Sequence, residues 1–127
     1  MSQCILIVDD EPVLADTLAI IFRRAGYRAT AVYSCEDALI FIDANQPLFI
    51  VSDVIMPGMN GVTFAKLIRN TYPSCGVLLF SGNADTHDLL ETARAEGHHF
   101  EVLAKPVSPP RLLEKVAALL QQAASSN

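Results

Sequence analysis

Leu48-Phe49-Ile50-Val51-Ser52-Asp53-Val54-Ile55-Met56-Pro57-Gly58-Met59-Asn60-Gly61 is an apolar run that stops at an acid and then breaks into a turn. Its first half is short, mostly β-branched or aromatic, and preceded by Pro47, which reads as a strand buried on both faces. Asp53 ends that strand. In an open parallel α/β sheet the carboxyl ends of the strands are where ligands and chemistry collect, because the loops there form the free rim of a rigid scaffold. Pro57-Gly58 and Asn60-Gly61 read as turn dipeptides that lead the chain off the rim before the next helix. On this stretch alone, Asp53 could equally be a carboxylate that caps a loop.

The flanking sequence repeats the pattern. Cys4 to Val8 is a second apolar strand, ending in Asp9-Asp10-Glu11-Pro12, with Pro12 suited to the first turn of a helix that runs to about Ala25. Arg28 to Tyr33, smaller and more polar, reads as an edge strand. Ser34-Cys35-Glu36-Asp37 resembles a capping box and opens a helix to about Ala44. Val62 to Tyr72 is helical by spacing, Val77 to Phe80 is a strand delivering Ser81-Gly82-Asn83, and Asp85 to about Glu96 is a helix. Val102 to Ala104 is a short fifth strand delivering Lys105-Pro106. Ser108 and Pro109 start a last helix with Leu112, Leu113, Val116, Leu119 and Leu120 as its buried stripe. Residues 123–127 read as a frayed tail. Five strands alternating with five helices predict an α/β domain with a parallel sheet covered on both faces.

Composition fits one domain over residues 1–127. With 127 residues, half of them apolar, the chain has enough core to fold alone. A net charge of -5 and a pI near 5.0 offer nothing to a polyanion. Arg23, Arg24 and Arg28 form the one basic cluster without any nucleic-acid motif, so direct nucleic-acid binding is not expected. Cys4, Cys35 and Cys75 lack metal-ligand spacing and suit reduced cytosolic thiols. The run Ile5 to Val8 before Asp9 is only four residues long, so neither a signal peptide nor a membrane span is expected, and a cytoplasmic location is.

Polar groups stand at four strand ends: Asp9 and Asp10, Asp53, Ser81, and Lys105. Four sets on one rim, in a chain only 18% charged, point to a functional site. Three carboxylates within roughly 5 Å repel by several kcal/mol per pair at an effective dielectric of about 20, so cations must join them. Lys105 is one. Oxygen-only ligands favour Mg2+ or Mn2+ over zinc as the other. A carboxylate beside a metal and a lysine suits nucleophilic attack on phosphorus, with Ser81 as a donor to the same oxygens.

Asp9-Asp10, Asp53 within Ser-Asp-Val-Ile-Met-Pro-Gly-Met-Asn-Gly, Ser81 and Lys105-Pro106 together resemble the receiver domain of two-component response regulators, over about residues 3–121. The resemblance implies a doubly wound, flavodoxin-like sheet in the order 2-1-3-4-5. It implies phosphoryl transfer to Asp53 from a phosphohistidine on a sensor histidine kinase or a histidine phosphotransfer protein. It further implies that Asp10, Asp53 and the Ile55 carbonyl hold Mg2+, with Asp9 acting through water. Lys105 contacts the phosphoryl group, Ser81 is the switch hydroxyl, and the Lys105-Pro106 peptide is cis. Ile55 and Asn83 flank the approach of a hydrolytic water. Such a chain modifies itself rather than a separate substrate, and passes its state to a downstream protein or a second copy.

Two departures stand out. Receivers usually carry Tyr or Phe three residues before the lysine, where this chain has Val102, and the Gly97-to-Lys105 spacing is one residue longer than the common pattern. The output face is therefore expected to use Val102 with Phe100 in place of that aromatic. His98-His99 reads as a solvated pair in a turn. A phosphatase would want an acid where Ile55 stands, and a dinucleotide binder would want a glycine-rich phosphate loop. The remaining alternative is a receiver-like interaction module that works without phosphorylation, although such modules usually lack one of the acids or the lysine.

Overall fold

The computed structural model describes residues 3–82 and 86–125. Among them β1 (Cys4–Val8), α1 (Pro12–Arg24), β2 (Arg28–Val32), α2 (Cys35–Asn45), β3 (Phe49–Asp53), α3 (Gly61–Thr71), β4 (Gly76–Ser81), α4 (Thr86–Ala95), β5 (Glu101–Ala104) and α5 (Pro109–Ser125) alternate. All strand pairings are parallel and the order is β2-β1-β3-β4-β5, as the resemblance implies.

The strands are apolar because helices cover both faces. On one face Leu6, Val8, Ile50 and Leu79 pack with Ile42 of α2, Phe64 and Ile68 of α3 and Ala93 of α4. On the other, Ile5, Ile7, Val51 and Leu78 pack with Leu18 and Phe22 of α1 and Leu112 and Val116 of α5. All of β3 is buried, whereas β2 buries only Ala29, as an edge strand does. Arg23 donates through Nε to the Ala29 carbonyl at 2.8 Å, which gives one member of the basic cluster a structural partner.

Helix starts follow local chemistry. Pro12 occupies the first turn of α1. Ser34 accepts from the Asp37 amide at 3.0 Å, a cap of about 1 kcal/mol, and Glu36 accepts from the Met59 amide of the β3–α3 loop at 3.4 Å. Asn60-Gly61 is not a turn: Asn60 caps α3 by accepting from the Thr63 amide at 2.9 Å, and Gly61 is already helical. Gly58, with φ +80°, makes the turn. The Asp85 start expected for α4 lies outside the described residues, as does Asn83. α5 continues to Ser125, beyond the point where fraying was expected, since alanine and glutamine sustain a helix well.

All three cysteines are free, and burial pushes the Cys35 and Cys75 thiols up to about 12, which keeps them protonated near neutral pH. Among the described residues no helix is long and apolar enough to cross a membrane.

Candidate functional site

The strand order reverses between β1 and β3, and a crevice opens at such a switch point outside the carboxyl ends of the strands. Register places the acids there. Val8 pairs with Ser52, so the next residues, Asp9 and Asp53, stand side by side on adjacent strands. Strand alternation then sets the face: Asp9 follows Ile7, Asp53 follows Val51, and Lys105 follows Leu103, all continuing the α1/α5 side. Ser81 follows Leu79 and continues the opposite side, towards α4.

Lys105 Nζ donates to Asp53 Oδ2 at 3.0 Å and lies 3.7 Å from Asp9 Oδ2. Its stem passes over Gly82, where a Cβ would come within 3.2 Å of Lys105 Cβ, and its ammonium sits 4.8 Å from the centre of the Phe80 ring. The Lys105 amide donates to the Ser81 carbonyl at 2.9 Å, and the following Lys105–Pro106 peptide is cis. Burial disfavours the ammonium, but the hydrogen bond and charge of Asp53, with Asp9 and Glu11 adding, outweigh it and leave the Lys105 pKa raised.

Asp9 is wholly buried. Its Oδ1 accepts from the Glu11 amide at 2.9 Å, while Oδ2 is buried without a hydrogen bond. Burial is the main reason its pKa is raised; the Glu11 amide and Lys105 pull it down, and Asp53 and Glu11 push it up. An unsatisfied buried acceptor costs about 1–3 kcal/mol. One oxygen from each of Asp9, Asp10 and Asp53 lies within 4.8 Å of the others, so the three carboxylates hold more negative charge than Lys105 offsets. The donor set and the orphaned Asp9 Oδ2 fit a hard divalent cation.

Ser81 Oγ donates to Thr86 Oγ1 at 2.9 Å. Ile55 is 41% exposed at the rim. Val102 and Phe100 both pack on the α2–α4 side. Phe100 precedes β5 and is sandwiched: Arg69 Cζ lies 4.4 Å over its ring, His98 stacks on it at 6.0 Å, and Arg69 also donates to the His99 carbonyl at 2.8 Å. His98 and His99 therefore belong to a contact with α3. Beside Lys105 a cavity of about 480 Å³ is lined by Leu14, Leu18, Phe80, Pro106, Val107 and Leu112. It offers little to orient a polar molecule, so the chemistry belongs to the acids.

Sequence reasoning missed Phe80, Thr86 and the packing roles of Gly61 and Gly82. Phe80 reads as one more core residue; the glycine following Ser81 was the one visible sign that something passes close there.

The family model of the response regulator receiver domain matches residues 5–117. Similar proteins include the DNA-binding response regulator MtrA of Mycolicibacterium smegmatis, 29% identical over 96% of this chain and 52% of that protein. The regulatory protein VanR of Enterococcus faecium is 29% identical, again over 96% of this chain and 52% of its own length. The chain thus spans about half the length of the curated relatives it matches. A CheY-like receiver domain protein from Methanospirillum hungatei shares the fold, with a TM-score of 0.90 at 22% identity over the whole of both chains. The signal receiver domain of an HD domain-containing protein from Pseudomonas fluorescens superposes with a TM-score of 0.88 at 26% identity, covering 98% of this chain and 99% of that one. The family match, the sheet order and the rim of acids and lysine agree: this chain belongs to the receiver domains of two-component response regulators.

Proposed function

We propose that Asp53 accepts a phosphoryl group from a phosphohistidine on a sensor histidine kinase or histidine phosphotransfer protein, and that the modified domain signals to a downstream protein or a second copy. The observation that carries this reading is the convergence on Asp53 of the Lys105 ammonium, 3.0 Å away, and the buried, unsatisfied oxygen of Asp9.

Asp53 would attack phosphorus through a carboxylate oxygen, forming the P–O bond as the bond to the histidine nitrogen breaks. Lys105 holds Asp53 now and would neutralise a phosphoryl oxygen afterwards. Mg2+, with Mn2+ as a substitute, would be held by Asp10, Asp53 and the Ile55 carbonyl, with Asp9 acting through water. Bound there, it supplies charge neutralisation for the phosphoryl oxygens. Ile55 and Asn83 would tune the loss of phosphate by flanking the attacking water.

Ser81 would turn towards the phosphoryl oxygens as the switch hydroxyl, and α4, β5 and α5 would carry the change outward. Val102 and Phe100 would take part from the α4 side of β5. The domain modifies itself and works in the cytoplasm, without itself contacting nucleic acid or membrane. Incubation with a small phosphodonor and Mg2+, followed by intact-mass measurement, tests the reading. A folded chain that gains no phosphoryl group is instead an interaction module independent of phosphorylation.

A further inference from the structure

Ser81 and Thr86 are buried, with 9% and 6% of their surface exposed, and the bond between their hydroxyls joins the last residue of β4 to the first of α4. Two constraints hold the Ser81 side chain where it is. The Ser81 carbonyl is taken by the Lys105 amide, which pins this end of β4 to the chain after β5. Alternation along β4 sets Ser81 on the Leu79 side of the sheet, while Asp53 continues the Val51 side. A hydroxyl has one proton to give. While Ser81 gives it to Thr86, it cannot give it to an oxygen carried by Asp53.

We infer that Thr86 is a positioning residue that holds the Ser81 hydroxyl in the orientation of the unphosphorylated chain, so that a phosphoryl group on Asp53 must draw that proton away from it. This rests on the reading of Asp53 as phosphoacceptor and Ser81 as switch hydroxyl. A charged phosphoryl oxygen is a stronger acceptor than a neutral threonine hydroxyl, so the bond to Thr86 opposes the switch without preventing it. The same bond ties α4 to β4, so its exchange gives α4 a direct response to the state of Asp53. Removing the acceptor shifts the equilibrium towards the switched form before any phosphoryl group arrives.

The test is a titration of the full chain with beryllofluoride, a phosphoryl mimic, in saturating Mg2+, following the Gly82 amide by NMR. Thr86→Val, which keeps the shape and removes the hydroxyl, is expected to bind about fivefold tighter than wild type, as loss of one competing neutral hydrogen bond predicts. Its unliganded Gly82 signal should already lie part of the way towards the bound position. Thr86→Ala, which adds no methyl where the hydroxyl was, should agree, and Thr86→Ser should behave as wild type. Ser81→Ala should bind more weakly, and Thr86→Val should then have no further effect. If Ser81→Ala weakens binding while Thr86→Val does not tighten it, or tightens it equally without Ser81, the inference is overturned and the reading of Asp53 and Ser81 stands. A gain in the serine variant as well would also overturn it. If Ser81→Ala binds as wild type does, the switch-hydroxyl reading itself fails.

Discussion

Gly61 lies so close to Asp53 that a Cβ at position 61 would overlap the Asp53 carbonyl oxygen and stand 2.8 Å from Val54 Cα. The Gly61 amide also donates to the Val54 carbonyl at 2.7 Å. α3 thereby starts directly on the end of the strand that carries the candidate phosphoacceptor. Since backbone cannot step aside as a side chain can, Gly61→Ala should destabilise the chain by about 2 kcal/mol or more, lowering Tm by several degrees. Gly97, at φ +92° with open space around it, should cost only about 1 kcal/mol as Gly97→Ala. Thermal melts of the two variants compare them, and equal losses would refute the close-packing argument.

The buried charge of Asp9 makes a prediction with a sign. Its folded pKa is raised above 3.8, chiefly by burial, so between 3.8 and the raised value the native state binds more protons than the unfolded chain. The contribution of Asp9 to native stability therefore falls as pH rises through that window, and the cost is complete above it. Without divalent ions, Asp9→Asn should melt a few degrees above wild type at neutral pH, a gain of about 1 kcal/mol. The gap should close in acid and narrow on adding Mg2+. Melting curves in EDTA across the acid range show it; a wild type more stable than the variant at pH 7 would be the opposite result.

Metal affinity separates the neighbouring acids. On the proposal that Asp10 binds the ion directly and Asp9 through water, Asp10→Ala should weaken Mg2+ binding more than Asp9→Ala, because another water can partly replace a water-mediated contact. Calorimetric titration of both variants decides, and equal affinities would remove the distinction.

Much of this arrangement was legible in the residues. Apolar runs that end in acids or lysine, punctuated by Pro and Gly, fixed the strands, and a rim of charges is hard to explain by packing alone. Close approaches were not legible. Gly61 after Asn60 looks like a turn until the neighbouring strand is in place. Phe80 under Lys105 and Thr86 under Ser81 look like ordinary core and helix residues. Arg69 covers Phe100 from α3, 31 positions earlier in the chain, a partnership that local spacing cannot reveal.

Ile55 gives the prediction on lifetime. Hydrolysis of an aspartyl phosphate needs a water in line with phosphorus, and an apolar side chain at this rim position cannot orient one. Ile55→Asn and Ile55→Glu should therefore shorten the dephosphorylation half-life by ~10-fold or more in Mg2+ without a phosphatase. If neither does, the lifetime is set elsewhere in the site.

The central claim, that Asp53 is the phosphoacceptor and works with a divalent ion, is most directly tested by the rate of phosphoryl gain from a small phosphodonor, followed by intact mass and peptide mapping. Wild type in Mg2+ should gain one phosphoryl group, on the peptide carrying Asp53. Asp53→Asn in Mg2+, and wild type in excess EDTA, should gain none on the same timescale. An asparagine variant labelled as fast as wild type would contradict the assignment.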